Sequence, residues 1–162
     1  QNWFVWVAGI GTNNEMILNG TGTPAYTASV MNQNQTPTST TFPIGSDGRV
    51  NQSGKDYIAY CWHSVTGYSK IGTYSGSNSS LSITTGFRPS FLLIKRTDTS
   101  GSWVIIDNIR GDGAGAKALF PDLNNAETHS WNTTFNNTGF TIDSNEVWLS
   151  TSGGTYIYMA FK

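Results

Sequence analysis

Two histidines, one cysteine and ten carboxylates are all that this sequence of 162 residues offers to nucleophilic, acid–base or metal chemistry. His63 and His129 are not accompanied by ligands at a recognisable spacing, so no metal site is expected. Cys61 falls in the run Asp56–His63, where strand alternation puts it on one face with Tyr57 and Ala59. A small core residue is therefore expected there rather than a nucleophile. A carboxylate pair could cut polysaccharide, and Asp107, Asp112, Asp122, Glu127, Asp143 and Glu146 are at hand, yet nothing in their spacing selects two of them. Gly111–Lys117 is glycine-rich, but a phosphate loop needs Gly-Lys-Ser or Gly-Lys-Thr at the head of a helix. It reads as a mobile loop. These residues point away from an enzyme and call for no metal or cofactor.

Binding is the chemistry that the aromatics can do. Trp3, Trp6, Trp103, Tyr57 and Tyr156 lie in strand-like runs and are expected to pack in a core. Trp131 and Trp148 sit among Asn, Ser and Thr. A flat apolar ring beside amides and hydroxyls suits either a sugar or a protein partner, which makes these two the candidate contact residues.

The elements that would position these residues are strands. Aromatics make up 13% of the chain and charged residues 12%, with Thr, Ser, Asn and Gly supplying the polarity. That mix suits pleated strands joined by many turns. Strands are expected at 3–8, 15–19, 56–63, 68–74, 80–84, 90–97, 102–108, 138–142, 145–150 and 155–161. Asp47-Gly48 and Gly153-Gly154 read as tight turns, and 122–128 as one helical turn capped by Asp122. The fold class is all-β, of β-sandwich or jelly-roll-like type. With a net charge of −1 and no basic run, the chain lacks the footprint of a nucleic-acid binder. No apolar stretch reaches the length of a helical membrane span. A start at Gln1, directly inside a strand-like run, suggests a processed product or a piece of a longer polypeptide.

The two ends of the chain also echo one another. Trp3 matches Trp103, Ala25–Ser29 matches Ala126–Ser130, Phe42–Ile44 matches Phe140–Ile142, and Ser53–Ile58 matches Ser152–Ile157, at steady offsets of 98 to 101 residues. Two diverged copies of one strand module follow, at 1–66 and 86–162, joined by connector strands at 67–85. The second copy opens with Phe91–Lys95, upstream of Trp103, and the first has no such strand before Trp3. An unfilled place of that kind leaves a sheet edge to be covered, so oligomerisation or attachment to a larger body is expected.

Asp56–His63, Gly67–Tyr74, Thr85–Asp98 and the closing Gly153–Phe161 together resemble a repeat domain found near the C-terminus of large structural, tail-fibre-like proteins of marine tailed bacteriophages. The resemblance covers nearly the whole sequence. It implies a place on the virion surface and a function in adhesion to the host surface or attachment to the particle. The implied partners are other virion proteins, further copies of the chain (a trimer in the fibre setting) and a host surface glycan. It carries over no catalytic or ligand-binding residue. Because the chain begins inside the first copy, a capsid or tail decoration protein stands beside the fibre reading, with a carbohydrate-binding receptor module as a further alternative.

Overall fold

Period-2 alternation in the second half of the chain is resolved into one curled sheet. A computed structural model describes residues 2–27, 29–30, 35–143 and 146–162, with the side chains of 128–130 also set aside. The strands are β1 (Phe4–Val5), β2 (Asn14–Ile17), β3 (Ala25–Tyr26), β4 (Ser69–Ser75), β5 (Leu81–Thr84), β6 (Phe91–Arg96), β7 (Trp103–Asp107), β8 (Gly113–Leu119), β9 (Thr128–Asn136), β10 (Gly139–Ile142) and β11 (Thr155–Phe161). A single-turn helix, α1, spans Gly48–Asn51. The fold is all-β, as the composition leads one to expect.

Eight strands form a sheet in the order β4-β11-β6-β7-β8-β9-β10-β5. Its two edge strands, β4 and β5, are consecutive in the chain, and the short link 76–80 draws them together. The sheet curls until it nearly closes. Phe140 of β10 meets Tyr158 of β11 edge-on, with ring centroids 5.5 Å apart, although other strands separate the two in the sheet order. Inside the curl lie Leu92, Ile94, Val104, Ile106, Phe135, Phe140, Ile142, Tyr156 and Ala160, all buried. The register keeps the inner positions together: Ala160 pairs with Leu92, and Leu92 with Ile106. Tyr74 stacks flat on Tyr156 with centroids 4.9 Å apart, and its hydroxyl donates to the Leu149 carbonyl.

A second, smaller sheet, β1-β2-β3, covers part of the outer face. Trp103, Leu93 and Ile157, outward-facing residues of β7, β6 and β11, pack with Ile10, Met16, Val5, Trp6 and Leu18. The indole N–H of Trp103 donates to the Ile17 carbonyl at 2.9 Å, and the Gly101 N–H to the Thr21 carbonyl at 2.8 Å. Lys95 is fully buried between the two layers, its ammonium donating to the carbonyls of Arg96 (2.7 Å) and Thr21 (3.4 Å). Burial lowers its pKa to about 8, partly offset by the nearby charges of Asp122 and Asp98.

Several expectations need correction. Residues 56–63 belong to no strand: they run extended and exposed from α1 towards β4. Gly111–Lys117 is not a loop throughout, because β8 starts at Gly113 and pairs there with β9, β7 joining only at Ala118 and Leu119. Gly113 and Gly115 take positive φ where the β8–β9 register shifts, so the glycines serve an irregular strand. The last residues of 145–150 form a turn, with Leu149 N–H and Ser150 N–H both donating to the Glu146 carbonyl; Asn145 lies outside the described residues. No helical turn forms at 122–128. Asp122 instead accepts from the Trp103 N–H at 3.0 Å, a tertiary bond that replaces a local cap. At Asp47-Gly48 the positions are reversed: Asp47 caps α1, accepting from the Arg49 N–H at 2.8 Å. The expected turn does form at Gly153, where φ is +80°.

Candidate functional site

The sequence-selected contact residues lie in the core. Trp131 is 8% exposed, on the inner face of the curl with Phe120 edge-on against it at 6.1 Å. Trp148 is half-buried and packs against the same core, its ring lying directly over Gly101, where even a methyl group would collide with it. Of the polar neighbours that suggested a sugar site, Asn132 and Thr134 take the other face of β9, Thr133 is buried with Trp131, and Ser150, beside Trp148, is buried and bonded to Ser77.

Exposed aromatics are found instead in the first half of the chain. Trp3 is 51% exposed, Tyr60 61% and Trp62 55%, and beside them Ile58 is 74% exposed. The three rings form a row, with Trp3 to Tyr60 centroids 6.1 Å apart and Tyr60 to Trp62 5.9 Å apart. The whole of 56–63 is exposed, and Ile58, Tyr60 and Trp62 occupy alternate positions, as the residues of one strand face would. Tyr57, on the other face, anchors the run to α1. Its hydroxyl donates to the Gly48 carbonyl (2.9 Å) and accepts from the Gln52 N–H (3.0 Å). The expectation of Trp3 and Tyr57 in the core and of a buried Cys61 is not met: all three are exposed, Tyr57 and Cys61 because the 56–63 run never joins the sheet. His63 is exposed as well, with its Nδ1 3.0 Å from the Ser64 carbonyl, and His129 is on β9, its side chain among those set aside.

Beside the row runs a groove of about 550 Å³, lined by Asn2, Phe4, Arg49, Gln52, Asp56 and Tyr57 among others. Arg49 organises its floor. The guanidinium lies 5.1 Å above the Phe4 ring, bonds to both carboxylate oxygens of Asp47, and comes within 3.9 Å of Glu15. The Arg49 bonds hold the Asp47 carboxyl below its usual range. Glu15 is 4% exposed, and desolvation raises its pKa, with Thr27 and Arg49 pulling it back. Four further carboxylates are held in ion pairs, Asp98 with Arg96, Asp107 with Arg110, Asp112 with Arg88 and Glu127 with Lys117, and Asp143 accepts from the Ser80 and Thr134 hydroxyls. Among the described residues, no group of three or more His, Cys, Asp or Glu side chains could hold a metal ion. Among the same described residues, no helix is long and apolar enough to cross a membrane.

A set of contacts on this face follows from its groups: apolar and π contact along the row, and hydrogen bonds from the amides and the guanidinium in the groove. Sequence reasoning missed it because every one of its aromatics sits in a run with strand periodicity. The one available signal was the density of large apolar residues in 57–62, higher than a half-buried strand requires. The chain belongs to the family described as Domain of unknown function (DUF7483), whose model matches residues 1–162. No curated protein and no solved structure matches it.

Proposed function

We propose that this chain is a structural accessory protein of a bacteriophage virion, a tail-fibre or surface-exposed module that works by binding and not by bond chemistry. The observation that carries the binding part is the exposed row Trp3–Tyr60–Trp62 with Ile58. Large contiguous apolar patches on a folded protein mark interaction sites, and Trp and Tyr dominate the energetics of such sites. The virion part rests on the resemblance of Asp56–Asp98 and Gly153–Phe161 to the phage repeat domain. Under the same reading the curled sheet is of sandwich or jelly-roll type, and 1–66 and 86–162 are diverged copies. The likeness of Tyr57-Ile58 to Tyr156-Ile157 supports the duplication, as does the spacing of Trp3 and Trp103. A density map of the intact particle tests the proposal. The chain is expected on the outer surface of tail or capsid, and purified particles that lack it would end the reading.

The groove favours a second reading, a carbohydrate-binding receptor module. Amide, guanidinium and carboxylate groups beside the exposed Tyr57 ring are what a saccharide's hydroxyls and apolar face require. A glycan array should then give hits that Gln52→Ala and Asp56→Ala weaken. An array without hits removes this reading and leaves the first untouched.

A further inference from the structure

Residues 57–63 read Tyr-Ile-Ala-Tyr-Cys-Trp-His, a run of strand-forming residues with no strand beside it among the described residues. Its likeness in the second half, β11, has a strand on each side, β4 and β6. The run turns back into β4 through the Val65–Ser69 bridge, and Ser64 still touches Ile71 through its hydroxyl. From His63 back to Asp56 it leaves that edge and lies exposed.

The run is close to symmetric about Tyr60. Ile58 and Trp62 flank it as large apolar residues, Ala59 and Cys61 as small ones, and Tyr57 and His63 as rings. A segment with this symmetry is complementary to itself. Two antiparallel copies related by a two-fold axis must centre on one residue, because the axis keeps each residue and its copy on the same face of the sheet. Centring on Tyr60 sets Tyr60 against Tyr60, Ile58 against Trp62 and Ala59 against Cys61. Aromatic–aromatic and aromatic–β-branched pairs are the favourable cross-strand combinations. Centring on Ala59 instead sets Asp56 against Trp62 and Lys55 against His63. Centring on Cys61 sets Ile58 against Ser64. Only the first register keeps every large apolar residue against another.

We propose that residues 56–63 are a homodimerisation strand, which pairs antiparallel with the same segment of a second copy in a register centred on Tyr60. The inference rests on the reading of this face as a binding surface. The ladder satisfies the free backbone groups of both segments, and Ile58, Tyr60, Trp62 and Trp3 of the two copies form one covered apolar face. With roughly 150–250 Å² in each aromatic side chain, the half-exposed rings contribute on the order of 300 Å² per copy. Backbone and Ile58 bring the interface towards the lower end of the standard size. A dimer with micromolar affinity is the result expected.

The test uses the full chain in analytical ultracentrifugation from about 1 to 200 µM, together with oxidative cross-linking. Wild type should shift from monomer to dimer over that range. Tyr60→Pro, which removes a ladder N–H, should remain monomeric with an unchanged thermal midpoint, since the run lies outside the core. Ala59→Cys places a thiol opposite Cys61 of the second copy, within the roughly 4.4–6.8 Å Cα separation that a disulfide spans. It should give a covalent dimer on oxidation. Wild-type Cys61 lies out of register with its own copy, on the order of 8 Å away, and should not cross-link. A wild type that stays monomeric throughout overturns the proposal, whether or not it binds a glycan or another protein on this face. So does a dimer that survives Tyr60→Pro, or one that cross-links in Ile58→Cys but not in Ala59→Cys. None of these outcomes bears on whether the chain is found in particles, so the virion reading stands or falls separately.

Discussion

β11 and the 56–63 run both open on Tyr-Ile and both are rich in aromatic and apolar residues, yet they have opposite fates. Tyr156-Ile157-Tyr158-Met159-Ala160-Phe161 lies second in the large sheet, and Tyr156, Ile157, Tyr158 and Ala160 are each at most 5% exposed. Tyr57-Ile58-Ala59-Tyr60-Cys61-Trp62 stands in solvent, with Ile58 74% and Tyr60 61% exposed. What separates them is company. β11 has Leu92 and Ile94 of β6 on one side, Tyr74 of β4 on the other, and Phe140 across the curl. Strand propensity expresses how well a side chain fits a pleated, half-buried surface, so without neighbours it builds no strand. The second half of the chain supplies its own neighbours, and the 56–63 run does not.

The sharpest way to break this comparison is to truncate a buried ring of the large sheet and an exposed ring of the run. Phe140 is fully buried and edge-on to Tyr158. Phe140→Ala leaves a cavity in a core that cannot collapse far, at a cost of about 3–5 kcal/mol. Chemical denaturation followed by fluorescence should show the full loss. A loss below about 1 kcal/mol would mean that the curl is loosely packed and that the two halves differ less than their burial suggests.

Lys95 probes the seam between the large sheet and the small one. Its folded pKa, about 8, lies below the ordinary lysine value. Below pH 8 both folded and unfolded chains carry the proton, and the buried charge destabilises the fold in full. As pH rises through 8 towards 10.5 the folded state releases its proton first, the unfolded state holds more protons, and stability increases. Up to about 3 kcal/mol is at stake. Above pH 10 the trend reverses, because burial raises the pKa of Tyr74, Tyr156 and Tyr158, and the folded state then keeps protons that the unfolded chain has lost. A denaturation series should therefore peak between pH 9 and 10. Lys95→Met should flatten the rising limb and leave the falling one.

How far the sequence could be read follows the same division. Alternation locates β6, β7, β10 and β11 because each has one face in the core. β8 is hidden by its glycines, whose positive φ at the bulges looks like a loop in composition. The 56–63 run is over-read for the opposite reason: it has every local property of a strand, and only the absence of partners decides against it. Trp131 and Trp148 illustrate the limit for sites. Polar neighbours in sequence do not report exposure, since Thr133 and Ser150 are themselves buried, and Gly101 and Phe120, which receive the two rings, are distant along the chain.

Trp103 sharpens the comparison at the layer boundary. It is 2% exposed, and its N–H reaches the Ile17 carbonyl of the small sheet. Trp103→Phe keeps most of the apolar contact but leaves that carbonyl without its donor, at a cost of about 1–2 kcal/mol. Hydrogen exchange should report the loss mainly in β1 and β2, with the inner strands of the large sheet little affected. Equal loss of protection in both sheets would show that the two unfold as one unit.

The smallest effect on stability is expected where the exposed apolar area is greatest. Tyr60→Ala removes a ring that the fold does not bury, so denaturation at low micromolar concentration should register a change within about 0.5 kcal/mol. Limited proteolysis at a concentration where the chain is monomeric should cut first in 56–63, since an exposed, unpaired backbone is what a protease requires. The two readouts work as a pair. Small cost with early cleavage means that the run contributes nothing to the isolated fold, so that its five large or aromatic side chains from Tyr57 to His63 need another reason to be there. A cost near that of Phe140→Ala, or protection from the protease, would place the run inside the folded core and erase the contrast with β11.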